Sequence, residues 1–399
     1  MSVLEKTKTD AVAIPTSREF VERAQAMIPM LREKAEQVEK DRKVSSETIQ
    51  AFVDAGFFKI LQPARWGGYG MSPIVFFRVL NELGRGCPAS AWNMMILGVH
   101  QWEFGVMDPQ AGDDVWGEDD GVIIASSYPP VGQLTKVEGG YRLSGRYPTS
   151  SGTDHGKWAF LGALERDENG VPVNRIALLV SSDDYEVIDD WHVFGLAGTG
   201  SKSLMVKDAF VPDHRTHSMT KYYPREEYGL SYAIPFMTVF YSAVSAVIIG
   251  FAQGAIDCYI EHMKVRKNTG TGDAAALSPY VKDRLGNAVG LVRSCKARME
   301  FMVAEITEKL ERGERITKAE RAHYLLDTAR VGRECEEAVM LLFKPMGARG
   351  IFLSNPMQRF LRDTIAGANH ITQNADDTAG LLGGYLLGQE LPDMVFGKD

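Results

Sequence analysis

The apolar positions in the first hundred residues recur at helical spacing. Thr16 and Glu19 form a capping-box pattern, and Phe20, Ala24, Ile28 and Leu31 follow it on one face, which predicts a helix. Ser46 opens a shorter helix that stops near Gly56. After the apolar run 57–61, the Pro- and Gly-rich segment 63–70 around Trp66 reads as a loop, and further helices are predicted over about 72–83 and 90–104. From about Gly121 the texture changes to short apolar or alternating runs punctuated by Gly, Pro, Asn and Asp. This predicts an all-β insert with strands at 137–143, 158–164, 176–180 and 204–211 and turns at Gly139-Gly140 and 167–170. Beyond Tyr228 the helical pattern resumes, and the segments 234–267, 279–312 and 318–346 are long enough for bundle helices.

One of these stretches raises a membrane question. Residues 228–256 carry no charge and are long enough to span a bilayer. Thr238, Tyr241, Ser242, Ser245 and Gln253 are scattered through them, Pro235 breaks the start, and Glu226, Glu227 and Asp257 give the flanks no basic bias. A helix apolar on all sides also suits the centre of a bundle or a subunit interface, and that is the reading adopted.

At 399 residues, with 45% hydrophobic and 24% charged residues, the chain reads as a folded protein of two or three packed units. A net charge of -8 without a basic block argues against a nucleic-acid partner. Cys87, Cys258, Cys295 and Cys335 lie far apart with no CxxC pair, so no metal site is expected. The stretch 1–10 is polar, without an apolar signal core, and together with thiols read as reduced this gives a cytoplasmic expectation.

No GxGxxG opens a βαβ unit, so no nicotinamide site is visible. The segment 195–203 (GLAGTGSKS) fails as a phosphate loop, because Ser201 separates Gly200 from Lys202 and the segment leads into a strand. It is open to two readings: a tight turn whose glycines supply positive φ, or a close backbone approach to a flat ligand. No GxSxG, HExxH or paired zinc motif occurs.

Seven segments, in order, carry a resemblance: 57–68 (FFKILQPARWGG), 91–102 (AWNMMILGVHQW), 125–132 (ASSYPPVG), 150–155 (SSGTDH), 195–212 (GLAGTGSKSLMVKDAFVP), 265–270 (VRKNTG) and 358–370 (QRFLRDTIAGANH). Over about residues 16–399 the chain resembles the two-component flavin-dependent monooxygenases of acyl-CoA dehydrogenase fold, such as the oxygenase components of 4-hydroxyphenylacetate hydroxylase and seco-steroid phenol hydroxylase. The resemblance implies an α+β, mostly α fold: an N-terminal helical domain (1–120), a middle β-barrel (121–228) and a C-terminal four-helix bundle (229–399), assembled as a homotetramer. It implies reduced FMN or FAD as a diffusible co-substrate, delivered by a separate NAD(P)H:flavin reductase. Reaction with O2 would then give a C4a-hydroperoxyflavin that hydroxylates an aromatic, phenolic substrate. The alternatives are N- or S-oxygenation within the family, or acyl-CoA dehydrogenation. For the last, the usual glutamate position reads Asn374-Ala375-Asp376-Asp377-Thr378.

The same resemblance assigns roles. From the residues alone His100 is a core histidine in an apolar helix; the resemblance makes it the histidine that contacts the substrate phenol, as a base or a polarising group. Trp92 is core packing or a wall of the site. Ser126, with Ser127 as its neighbour, matches a serine holding the substrate hydroxyl. Ser151 matches the serine near flavin N5, although the aromatic expected two residues before it is Thr149. Arg266 matches an arginine on the flavin phosphate, and His370 matches a second active-site histidine. Arg362 and Asp363 are read as a structural ion pair.

Overall fold

A computed structural model of the chain describes residues 14–221, 228–267 and 270–397. The polar stretch 1–10, residues 222–227 with Glu226 and Glu227, and Asn268 and Thr269 of the 265–270 segment lie outside the described residues. The chain opens with α1 (Ser17–Asp41), α2 (Ser46–Asp54), α3 (Pro73–Gly84), α4 (Pro88–Val99) and α5 (Pro109–Trp116). The capping box forms as the sequence predicts, with Thr16 accepting from the Glu19 amide and Glu19 answering to the Thr16 amide. The helix predicted over 90–104 divides. It is α-helical to Val99 and then tightens into a 3₁₀ turn, His100–Gly105. In a 3₁₀ turn the side chains at i and i+3 eclipse, so the tightening stacks Glu103 directly on His100.

The middle of the chain holds β1 (Ile124–Ser127), β2 (Gln133–Val137), β3 (Gly140–Ser150), β4 (Trp158–Arg166), β5 (Pro172–Ser181), β6 (Tyr185–Ile188), β7 (Lys202–Pro212) and β8 (Thr216–Ser218). The expected barrel takes the form of two four-stranded sheets, ordered β1-β4-β5-β8 and β2-β3-β7-β6, which meet through β1 and β3, β2 and β4, and β5 and β7. β1 pairs with β4 in parallel, with Ser127 opposite Leu161. A register shift between Tyr147 and Ser150 forces Thr149 to φ 59°, a left-handed conformation that a β-branched residue adopts at a cost. That irregularity ends the strand and turns Ser151 inward.

The last third comprises α6 (Phe236–Val265), α7 (Pro279–Glu311), α8 (Lys318–Phe343), α9 (Pro356–Ala368), α10 (Ala375–Leu386) and α11 (Asp393–Phe396). The uncharged helix α6 lies at the centre, packed on α3, α4, α7, α8 and α9, and most of it is buried. Of its scattered polar groups, Ser245 Oγ donates to the Thr328 carbonyl and accepts from Gln373 Nε2, whereas Ser242 Oγ is buried without a partner among the described residues. At the α3–α6 crossing a Cβ on Gly84 would sit 2.8 Å from Gly250 Cα, so this approach needs glycine on both helices. One continuous apolar core joins the first helices, the sheets and the bundle.

Candidate active site

Between the sheets and the bundle lies a cavity of about 800 Å³. α4 contributes Trp92 and Ile96, the end of β1 contributes residues 126–130, and α6 contributes Phe240. The segment 191–201 and the end of α9, through Ile371, close the other walls. Of the residues singled out from sequence, Trp92, Ser126, Ser151 and His370 are on this wall; His100 and Arg266 are not.

A one-way chain of hydrogen bonds runs along one side. Trp92 Nε1–H can only donate, and it donates to Ser151 Oγ at 3.1 Å. At the far end Thr199 Oγ1 donates to the Leu196 carbonyl at 2.8 Å, which can only accept. Between these fixed ends the contacts from Ser151 to Ser201 and from Ser201 to Thr199, both 2.6 Å, have one consistent direction. Each hydroxyl passes its proton toward Leu196. Ser151 has therefore spent its own proton and offers a lone pair. Reduced flavin carries a proton at N5, and an oxygen that can only accept is the matching partner, so this wall fits that cofactor.

The segment carrying Leu196 and Thr199 contains the tight turn, with Gly200 at φ 56°. Gly195 presses on α9 so closely that a Cβ would lie 2.2 Å from the Arg362 carbonyl, while Gly195, Leu196, Thr199 and Ser201 face the cavity. Asp363 holds the segment by accepting from the Leu196 amide at 2.6 Å, and burial pushes its carboxyl up to about 7. The expected Arg362–Asp363 ion pair does not form. Adjacent residues on a helix point apart, and Arg362 pairs with Glu39 and donates to the Phe194 carbonyl instead.

Ser126 and Ser127 separate cleanly. Ser127 Oγ donates to the Pro148 carbonyl at 2.5 Å, whereas Ser126 Oγ has no hydrogen-bond partner among the described residues. His370 caps a short turn by accepting the Thr372 amide at Nδ1, which places the proton of its neutral ring on Nε2. Burial holds that ring down at about 4, and it packs edge-on against Trp92 at 5.6 Å.

His100 is fully buried behind the wall, with Tyr128 and Phe240 at ring distances of 5.6 and 5.9 Å. It belongs to a cluster that sequence reasoning missed. Glu103 Oε1 accepts from His100 Nδ1 at 2.6 Å and from the Tyr128 hydroxyl, and Glu103 Oε2 meets His217 Nε2 at 2.6 Å. Burial alone would raise the Glu103 carboxyl; the hydrogen bonds and charge of the two histidines outweigh it and hold the group down at about 2. Burial and the adjacent Glu103 raise Tyr128 well above the usual phenol range. With Nδ1 engaged, His100 Nε2 is a buried atom without a partner among the described residues. A signal existed: Glu103 is a carboxylate in an apolar run three residues after a histidine, and such a charge must have partners.

Arg266 lies away from this cavity within one chain. It follows α6 and donates to the Pro345 carbonyl at 2.6 Å, 26 residues beyond Phe240, or about 39 Å at the helical rise. Among the described residues no carboxylate lines the cavity, and Asp376 lies on the surface paired with Arg333. No group of three His, Cys, Asp or Glu among them converges as metal ligands.

The chain matches the acyl-CoA dehydrogenase N-terminal domain over residues 15–105 and the C-terminal domain over 242–375. It is 33% identical to the flavin-dependent monooxygenase oxygenase subunit HsaA of Rhodococcus jostii (strain RHA1), over 94% of this chain and 100% of that protein. It is 31% identical to the FADH(2)-dependent resorcinol hydroxylase oxygenase component of Rhizobium sp. (strain MTP-10005), over 93% of this chain and 94% of that one. The crystal structure of 3-HSA hydroxylase from Rhodococcus sp. RHA1 superposes with a TM-score of 0.90 at 33% identity, covering 94% of this chain and 98% of that one. The cavity placed between sheets and bundle, the absence of a carboxylate base on its described walls and these full-length likenesses agree: the chain belongs to the flavin-dependent monooxygenases of acyl-CoA dehydrogenase fold, as an oxygenase component.

Proposed function

We propose that this chain hydroxylates a phenolic ring, using O2 and reduced FMN or FAD received from a separate NAD(P)H:flavin reductase. The observation that carries the reading is the one-way hydroxyl chain that leaves Ser151 as an acceptor in a largely apolar cavity. Reduced flavin, when bound, supplies the electrons and the position at which oxygen is activated. Ser151 holds the proton at flavin N5 in place, and the apolar walls exclude the water that would promote loss of peroxide. His370 presents an Nε2–H donor to the cavity, and Trp92 orients Ser151. Ser126, with its hydroxyl unspent, takes the substrate hydroxyl. His100, its Nδ1 locked by Glu103 and its ring behind Tyr128 and Phe240, receives the phenol proton at the unpaired Nε2 once those rings yield to the substrate.

Arg266 serves the flavin phosphate of a neighbouring copy in a homotetramer built on the bundle. Exposed apolar side chains on the bundle, Val265, Leu277, Tyr280 and Phe301, support that assembly. The three segments 1–120, 121–228 and 229–399 act as its domains. The protein works in the cytoplasm, where its four free, buried cysteines remain reduced.

A single-turnover experiment tests the reading. The chain, one equivalent of reduced flavin and O2 are mixed with phenols, indoles, amines and thioethers, and hydroxylated product is counted against hydrogen peroxide. Phenols are expected to give catechol-type product, and His100→Ala to slow it about a hundredfold. Peroxide alone with every phenol, or oxidation of an acyl-CoA, overturns the proposal.

A further inference from the structure

Among the described residues that line the cavity, Arg175 is the only one with a permanent charge. It sits in β5 opposite Leu164, and its backbone is held by the Met219 amide, which donates to its carbonyl at 2.8 Å. Its guanidinium is half-buried and makes no hydrogen bond or ion pair among the described residues. Strand alternation explains why. Its neighbour Asn174 points to the opposite face, where it bonds Glu165 and Ser218, and Glu165 is further engaged by Tyr141. The nearest carboxylate on the adjoining strand is therefore on the wrong side of the sheet and already occupied. A guanidinium drawn partly out of water on an apolar wall, with five donors unspent, is a receptor for a planar anion.

We propose that Arg175 recognises a carboxylate on the aromatic substrate, so that the ring oxygenated in this cavity is a hydroxyaryl acid with a short side chain. The inference rests on the function proposed above and narrows its substrate class. The strand register supports the span. Ser126 is opposite Phe160, Phe160 is opposite Leu179, and Arg175 is four residues along β5 from Leu179, about 13 Å in the strand direction and two strand spacings, about 10 Å, across. The arginine side chain reaches back over part of that separation, and a single ring with its hydroxyl at Ser126 and its acid on a short chain covers the rest. The other anion available to the site is the flavin phosphate, and the test separates the two.

The full-length chain loaded with reduced FMN is titrated anaerobically with a hydroxyphenylpropionate and with its neutral amide. The parent binds the acid about tenfold to a hundredfold more tightly, the range of one charge-assisted hydrogen-bonded pair. Arg175→Gln loses most of that preference while binding the amide as the parent does, and Arg175→Lys keeps part of it. Reduced FMN and reduced riboflavin bind the variants as they bind the parent. Equal affinity of the parent for acid and amide, a comparison that needs no variant, overturns the proposal. So does an Arg175→Gln variant that loses affinity for reduced FMN alone, which would assign the cation to the phosphate. If the acid is preferred but no phenol is hydroxylated, the function proposed above fails and the anion site stands; if neutral phenols are hydroxylated with no preference for the acid, the reverse holds.

Discussion

Removing the carboxylate of Glu103 should be among the most damaging single changes in this protein. Three donors converge on it inside the core: His100 Nδ1–H, His217 Nε2–H and the Tyr128 hydroxyl. Glu103→Ala removes the shared acceptor and leaves Tyr128 and His100 only their 3.1 Å contact with each other, at about 1–3 kcal/mol for each buried polar group and about 3–5 kcal/mol for breaking a buried ionic contact. Since these figures overlap and do not add, about 4 kcal/mol is expected, a large part of the roughly 5–15 kcal/mol that holds a folded protein together. Glu103→Gln keeps one acceptor and turns the other into a donor, so about 1–2 kcal/mol is expected. Urea unfolding at neutral pH, followed by tryptophan fluorescence, should rank parent, Glu103→Gln and Glu103→Ala in that order. The carboxyl sits at about 2 in the folded chain against 4.5 when free, so its contribution is complete above 4.5 and disappears as pH falls toward 2. The gap between parent and Glu103→Gln should narrow across that window. A Glu103→Ala protein within about 1 kcal/mol of the parent, or a gap that widens in acid, would refute the account of the cluster.

Other consequences are equally accessible. Ser201→Ala removes the acceptor for the Ser151 proton and frees that hydroxyl to turn toward the cavity; product per peroxide should fall about two- to tenfold, the worth of one hydrogen bond, and Ser151→Ala should fall at least as far. Asp363, raised to about 7 against 3.8 when free, costs the folded state stability increasingly from pH 4 to 7. Asp363→Asn, which still accepts from Leu196, should therefore melt higher than the parent at pH 8 and no higher at pH 3.5. His370, held at about 4 against 6.5 when free, costs stability as pH falls through that interval because the unfolded chain takes the proton first. His370→Gln should accordingly flatten the loss of melting temperature between those values.

Much of this was written in local pattern. The Thr16–Glu19 box, the helical spacing after it and the uncharged length of α6 are signals carried by neighbouring residues, and the structure returns all three. Resemblance brought out Trp92, Ser126, Ser151 and His370, which share one wall although they are spread over nearly three hundred residues. What stayed illegible depends on chain segments meeting. His217 sits in a three-residue strand with no periodicity to read, and its partner Glu103 is over a hundred positions away. Arg175 looks like any strand-face arginine until the register shows which side of the sheet Glu165 occupies. The split between Arg362 and Asp363 follows the same rule: each chose a partner that only the folded chain brings near.

The directed row from Trp92 to Leu196 also makes that wall sensitive to oxidation state. With Ser151 against N5 as proposed, its lone pair would welcome a dihydroflavin, whose N5 bears hydrogen, and would meet the oxidised ring lone pair to lone pair. The difference is one hydrogen bond gained against one repulsive contact, roughly tenfold in affinity or more. On that proposal spent cofactor would be eased out while fresh cofactor is retained, and an oxygenase that trades its flavin with a reductase would have its direction of exchange set by the carbonyl of a single leucine.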